Sequence, residues 1–415
     1  MSDYPLGSPP NFSDFFPKNY CVSHIILIRN RSILMKKTKI IFLLTSLSRG
    51  GGERVASELS LNLPDWVKTT IVLLKNQVSF PYKGKLVFLN LSTCKNFIAK
   101  IYCLFLSIYR FKKIIKEEKP DYVVSFGAPA NAINVLINKK SILRIDSFMT
   151  AACRGFEGLI NKILIKVLYN KSEKIISVSK EIANDLINNF GILKAKIEII
   201  YNPINIKEIH NLAKESLEPA HQEIFKNPII ISMGRLGREK NYSSLIKAFN
   251  EVKNKVKEAK LVILGKGEEE QRLRELIKRL NLTDSVFLLG WQENPFKFLA
   301  KSKLFVLSSL WEGLPNAILE AMVCGAPVIS VDCRSGPREI LAPNTDASLE
   351  AQSIEYEEFG ILTPPFDKER SQEILEQAIV KILTDKKMAD TFARKSKQRA
   401  EDFDVKNIIK KWDFL

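Results

Sequence analysis

The sequence predicts an α/β chain of two doubly wound domains in tandem, and three observations carry that prediction. Short β-branched apolar runs alternate with longer helical patterns along most of the chain, as in β-α-β units around a parallel sheet. The rhythm breaks at Tyr201-Asn202-Pro203 and the polar stretch behind it, then restarts. The length of 415 residues suits two units of roughly 150–200 residues each.

The elements follow in order. Strands are expected at Ile40–Thr45, Thr70–Leu74, Leu86–Leu91, Tyr122–Phe126, Ile142–Ile145, Ile175–Val178 and Ile197–Ile200, with helices over Glu53–Leu63, Phe97–Glu118 and Gly155–Tyr169. Unbroken apolar runs such as Ile40-Ile41-Phe42-Leu43-Leu44 fit a sheet covered on both faces. After the break come strands at Ile229–Met233, Leu261–Leu264, Val286–Leu289, Leu304–Leu307 and Pro327–Val331, and helices near Tyr242–Val256, Glu269–Leu280 and Pro315–Val323. Two or three helices are expected from Asp367 onward. The expected organisation is an extension over 1–34, a first domain over 35–201, a linker over 202–227, a second domain over 228–390 and C-terminal helices over 391–415. The extension carries four prolines and lacks a basic start leading into an apolar run, so it does not look like a signal peptide. It is either outside the fold or upstream of a start at Met35.

Composition narrows the function. The apolar fraction of 46% and charged fraction of 26% are ordinary globular values. Six scattered cysteines, with no C-x-x-C pair and no histidine at metal-ligand spacing, predict reduced thiols in a cytosolic protein and exclude a zinc site. No run reaches the roughly 18–20 apolar residues of a spanning helix. The net charge of +17 is uneven: residues 1–200 hold 30 Lys and Arg against 14 Asp and Glu, whereas 201–415 hold 33 against 32. A basic half invites an anionic bilayer or a phosphorylated acceptor. No nucleic-acid recognition motif accompanies it, so no nucleic-acid partner is expected. The stretch from Lys95 to Lys119 adds Tyr102, Leu106 and Tyr109 to an apolar stripe of Phe97, Ile98, Ile101, Leu104, Phe105, Ile108, Phe111 and Ile115. With flanking Lys112, Lys113 and Lys116 it reads either as a core helix or as one lying on a membrane surface.

Four loops sit where open α/β sheets hold ligands, at the carboxyl ends of strands. Ser48-Arg49-Gly50-Gly51-Gly52-Glu53-Arg54 follows the first strand and opens a helix; without Cβ atoms, Gly51 and Gly52 let backbone amides approach a phosphate or sugar. Gly234-Arg235-Leu236-Gly237-Arg238-Glu239-Lys240-Asn241 follows the first strand of the second half. There Arg235 and Lys240 can stabilise the charge that a departing nucleoside diphosphate gains in the transition state. Glu312-Gly313-Leu314-Pro315-Asn316 leads into a helix that carries Glu320. Two carboxylates framing a helix N-terminus suit a nucleotide sugar: the amides face the diphosphate, and each carboxylate can accept sugar hydroxyls. Asp332-Cys333-Arg334-Ser335-Gly336-Pro337-Arg338-Glu339 places Gly336 near the same cleft, with Arg334 and Arg338 open to a surface role.

Together these residues resemble glycosyltransferase family 4 on a GT-B fold, in which two Rossmann-like domains face a cleft. The resemblance covers Lys39 to Leu415 and is most specific from Ile230 to Leu341, through Gly-Arg-…-Glu-Lys-Asn, Leu264-Gly265-Lys266-Gly267, Glu-x7-Glu and Ser-Gly-Pro-Arg-Glu-Ile. It implies retaining transfer from an NDP-sugar without metal or other cofactor, with UDP the expected nucleotide. The expected acceptor is a glycan or lipid-diphosphate, in surface polysaccharide or lipid-linked oligosaccharide synthesis, in the cytoplasm or on the inner face of its membrane. It further implies that Arg235 and Lys240 hold the pyrophosphate, Glu320 the ribose, and Glu312 with the amides that follow it the donor sugar, within a binding segment of Gly313, Leu314, Pro315 and Asn316. Many family members face the donor sugar with a histidine of the first domain. This chain has only His24, His210 and His221, and offers Arg144, Asp146 and Ser147 behind its fifth strand instead. The Asp402-Phe403-Asp404 sequence lies between tail helices and is expected to cap a helix, not to hold a metal. A nucleotide-sugar epimerase on the same fold, or a membrane-associated sugar-nucleotide binder without catalysis, are the competing readings.

Overall fold

The computed structural model describes residues 38–48, 50–90, 97–138, 140–152 and 155–412. The 1–34 extension lies outside them. Two seven-stranded sheets form the frame. Strands β1 (Thr38–Leu44), β2 (Val67–Leu73), β3 (Lys85–Phe88), β4 (Tyr122–Phe126), β5 (Ser141–Ile145), β6 (Lys174–Ser177) and β7 (Ile197–Ile199) lie in the order 3-2-1-4-5-6-7, all parallel. The second sheet repeats this plan. Strands β8 (Ile229–Met233), β9 (Lys260–Leu264), β10 (Val286–Gly290), β11 (Leu304–Leu307), β12 (Val328–Val331), β13 (Glu355–Tyr356) and β14 (Ile361–Thr363) lie in the order 10-9-8-11-12-14-13, with only β13 antiparallel. In both sheets the strand order reverses beside the first strand, so a crevice opens at the carboxyl ends of β1 and β8.

The helices of eight or more residues are α1 (Gly51–Asn62), α2 (Phe97–Glu118), α3 (Ala128–Ile137), α4 (Gly155–Leu168), α5 (Lys180–Phe190), α6 (Tyr242–Lys255), α7 (Glu270–Arg279), α8 (Asn316–Cys324), α9 (Ser371–Thr384) and α10 (Lys386–Ala400). They cover both faces of the sheets, which is why strands such as β1 are buried along nearly their whole length. Helix α1 packs Val55, Ala56 and Leu59 on one face of the first sheet, while Phe111 of α2 and Ile133 of α3 pack on the other. One apolar cluster runs from Ile182 and Leu186 of α5 to Ile318 and Met322 of α8, joining the two halves.

Several local expectations are corrected. Residues 202–227 contain two short helices, Ile206–Leu212 and Pro219–Ile224, in place of an irregular connection. Helices α3 and α5 were not anticipated, because both turn polar residues inward: Asn134 donates to Val123 O and Ser125 Oγ, and Asp185 accepts from the Thr150 amide. Polar residues turned inward and bonded to neighbouring elements erase the apolar period. Phe105, counted in the inward stripe of α2, is 66% exposed. Cys103 is disulfide-bonded, against the expectation of reduced thiols, while Cys324 and Cys333 are free. Of the two arginines left open to a surface role, Arg338 is buried on Asp332 and Glu355, whereas Arg334 is half-buried and pairs with Glu181 and Glu350.

The tail returns to the first half. Beyond α10, Asp404 caps the short helix Val405–Ile408 and the Val405 amide donates to Ile204 O. Ile408 and Trp412 then enter the core around Val55 and Leu59.

Candidate active site

Two loops, one from each sheet, meet at the crevice. The first is the triple-glycine turn. Gly50 stands in extended conformation before α1 and supplies no side-chain cap, while the Glu53 carboxylate of the first turn lies over Gly50 and accepts from its own backbone amide. A Cβ on Gly51 would stand 3.7 Å from Asn316 Nδ2, which places this turn directly against the start of α8.

The second loop carries the paired carboxylates. Pro315 precedes α8, and no side chain caps that nine-residue helix either. Glu312 lies in the loop ahead of it, where its Oε1 accepts from Lys240 Nζ at 2.6 Å and from Ser309 Oγ at 2.6 Å. Ser308 Oγ donates to Lys240 O at 2.8 Å and pins the backbone of the basic loop to the end of β11. Glu320 is buried one turn into α8 and pairs with Arg54 of α1 at 2.7 Å, across the crevice. Burial pushes the Glu320 carboxyl above its ordinary pKa, and the nearby charges of Arg54 and Lys240 oppose that push. Arg54 also lies over the Phe296 ring, 5.2 Å from its centroid.

The remaining residues fix the shape. Gly336, at φ +95°, packs so closely on Pro315 and Gly313 O that a Cβ would approach within 2.7 and 2.8 Å of them. Ser335 Oγ donates to Gly313 O at 2.7 Å. Asn202 is buried between the halves and donates from Nδ2 to Leu314 O and Asn316 Oδ1, at 3.1 and 2.7 Å. Among the described residues no group of three or more His, Cys, Asp or Glu is gathered as a metal site.

This arrangement can bind a polyanion at the uncapped start of α8 with Lys240 beside it, and hydroxyls at two carboxylates. Residues 49–208 match the model of Glycosyltransferase Family 4, and residues 214–399 that of Glycosyl transferases group 1. An uncharacterised glycosyltransferase of Methanocaldococcus jannaschii is 38% identical over 74% of this chain and 82% of its own. The N-acetylgalactosamine-N,N'-diacetylbacillosaminyl-diphospho-undecaprenol 4-alpha-N-acetylgalactosaminyltransferase of Campylobacter jejuni is 32% identical over 88% of this chain and 95% of its own. The chain belongs to the family 4 glycosyltransferases. The structure of Anabaena HepE with UDP-glucose covers 91% of this chain and 98% of its own at a TM-score of 0.71 and 20% identity, a likeness of fold. The GT-B architecture is thereby shown.

In this glycosyltransferase the expected site residues separate into two groups. Gly51, Gly313, Leu314, Pro315, Asn316, Lys240, Glu312 and Glu320 lie around the start of α8 or in direct contact with residues there. Gly52 faces Asp146. Arg235 is turned to the outside of its loop, where it pairs with Glu239 at 2.8 Å and Glu268 at 3.6 Å. Sequence reasoning gave no role to Arg54, Asn202 or Glu339. All three stand in segments already singled out, but only the docked halves show that Arg54 and Asn202 bridge to α8. Glu339 accepts from the Lys180 and Glu181 amides at 2.8 and 3.1 Å, so a residue of the second half caps α5 of the first. No spacing within either half announces such a partner.

Proposed function

We propose that the protein transfers a hexosyl or N-acetylhexosaminyl group from a UDP-sugar to a lipid-linked or glycan acceptor, with retention at the anomeric carbon and without a metal. The observation that carries this reading is the cradle at the start of α8: an uncapped helix N-terminus flanked by the Lys240–Glu312 pair and the buried Glu320. The diphosphate would lie on the free amides of α8 and beside Lys240, with Arg235 swinging from Glu239 to join it. Glu320 would accept the ribose diol, and Glu312 a hydroxyl of the donor sugar. During transfer the bond from the anomeric carbon to the diphosphate oxygen breaks, a bond to the acceptor oxygen forms on the same face, and the acceptor's hydroxyl proton passes to the departing diphosphate. The electron pair leaves with the diphosphate, where Lys240, Arg235 and the helix dipole stabilise it.

The acceptor side adds a surface. On α2, Tyr102, Phe105 and Tyr109 are 66%, 66% and 70% exposed, and Lys112, Lys113 and Lys116 are exposed as well. At 100° per residue all six fall within a sector of about 100°, aromatic at one end and basic at the other. This is the chemistry of a helix resting on an anionic bilayer, and it supports an acceptor presented at the inner membrane surface. No helix among the described residues is long and apolar enough to cross a membrane.

A panel of UDP- and GDP-sugars tests the donor. A ligand at 100 times its dissociation constant raises stability by about 2.7 kcal/mol, and UDP-sugars should do so with transfer undiminished by EDTA. Stabilisation by GDP-sugars alone would overturn the UDP assignment. Loss of activity in EDTA, restored by Mg²⁺ or Mn²⁺, would overturn the metal-free one.

A further inference from the structure

One carboxylate of the first half stands where the two loops touch and has no part in the reading above. Asp146 follows β5 and is held between two glycines, one from each half. A Cβ on Gly52 would lie 2.4 Å from Asp146 Oδ2, and a Cβ on Gly313 would lie 2.0 Å from the Asp146 carbonyl oxygen. The carboxylate fills the space that a side chain at position 52 would take. It therefore sits between the triple-glycine turn and the residue that directly follows Glu312.

The group is fixed from behind. Arg144 is 1% exposed, and its Nη1 lies 3.4 Å from Asp146 Oδ2. Its Nη2 donates to Asn202 Oδ1, and Asn202 Nδ2 donates onward to Leu314 O and Asn316 Oδ1. A buried guanidinium is a poor source of stability, because desolvation consumes most of what its partners return. Here it sets position: a continuous run of hydrogen bonds ties the carboxylate of the first half to the start of α8. Glu53 is a second carboxyl group near Asp146, and burial, with the Asp146 charge adding to it, pushes the Glu53 pKa up.

The chemistry of the ligand follows from the Asp146 carboxylate itself. A carboxylate accepts hydrogen bonds and repels phosphate, so it selects a hydroxyl donor over the diphosphate. With its side chain 29% exposed, Asp146 keeps acceptor capacity beyond what Arg144 uses. We propose that Asp146 is a substrate-contacting residue whose carboxylate accepts a hydrogen bond from a sugar hydroxyl at the point of transfer, with Arg144 and Asn202 as positioning residues. The inference rests on the reading of α8 as the donor site.

Asp146→Asn tests it, because the amide retains the shape and loses the charge. UDP and UDP-sugar binding are measured by calorimetry, and kcat and acceptor KM by transfer assay, beside the melting temperature. The expected result is an unchanged melting temperature, unchanged UDP affinity and a fall in kcat of roughly tenfold or more. An accompanying tenfold loss of UDP-sugar affinity assigns the hydroxyl to the donor sugar; a raised acceptor KM with normal UDP-sugar affinity assigns it to the acceptor. Asn202→Ala should lower kcat in the same direction with less effect on UDP affinity. Wild-type kinetics in Asp146→Asn would overturn the proposal, and so would equal losses of UDP and UDP-sugar affinity together with a lowered melting temperature. If the wild-type protein itself binds no UDP-sugar, the donor-site reading has failed, an outcome visible before any variant is made.

Discussion

Glu320 and Glu58 both feel the charge of Arg54, and the same low-dielectric setting gives them different consequences. In the proposed site Glu320 accepts from the donor ribose, so Glu320→Gln removes a charge-assisted acceptor and should weaken donor binding by about 1.5–3 kcal/mol. Calorimetry with UDP checks this; an unchanged affinity would take Glu320 out of the site. Glu58 is buried on α1, and burial, with the carboxylates of Glu208 and Glu320 adding to it, pushes its pKa up to about 7. Arg54 and a hydrogen bond with Asn205 oppose the shift. The folded state therefore holds a proton that the unfolded chain, with an ordinary value near 4.5, has already lost. The stability that this proton confers is complete below pH 4.5 and disappears as pH rises to about 7, a change on the order of 3 kcal/mol. Glu58→Gln should accordingly raise the melting temperature at pH 8 and leave it nearly unchanged at pH 5. An equal shift at both pH values would contradict the protonation argument.

At the scale of elements, α2 is the segment whose two faces have different tasks. Its inner face buries Phe111 against Ile41 and Leu43, whereas its outer stripe spans about 21 Å from Tyr102 to Lys116. Each lysine near an anionic surface contributes on the order of 1 kcal/mol, screened by salt. Changing Lys112, Lys113 and Lys116 to glutamate should thus abolish co-sedimentation with anionic liposomes at low salt while donor binding persists. Equal binding to neutral and anionic vesicles would argue for an acceptor delivered in another way. Elements like α2 are legible in sequence because their apolar spacing survives, and so are β8 and β11, whose limits coincide with the apolar runs at Ile229–Met233 and Leu304–Leu307. Helices α3 and α5 were not legible, since Asn131, Asn134, Glu181 and Asp185 occupy inward positions and earn them through hydrogen bonds from other elements. The site divides in the same way. Lys240, Glu312 and Glu320 announce themselves within one half, by loop position after a strand. Asn202 and Glu339 act only across the junction, and Arg235 faces outward because Glu239 and Glu268 lie closer at hand.

The whole molecule is held by more than one connection between its halves. Glu339 caps α5, Arg334 pairs with Glu181, Ser179 meets Ser335 at 3.1 Å, and Arg54 reaches Glu320. The tail supplies a further tie, because Ile408 and Trp412 sit in a core otherwise built from residues 40–201. Trp412→Ala should cost about 3–5 kcal/mol, measurable as a lower urea midpoint, with loss of order in the first half; a variant as stable as the wild type would show that the tail merely rests there. The position of Trp412 has a consequence in time as well as in space. Domains generally fold in order as the chain is synthesised, the N-terminal one first. Here the half made first waits for residues made after the second. Until Trp412 has cleared the ribosome, the socket beside Val55 and Leu59 stands open, so the newborn chain carries an unfinished first half through the entire synthesis of the second.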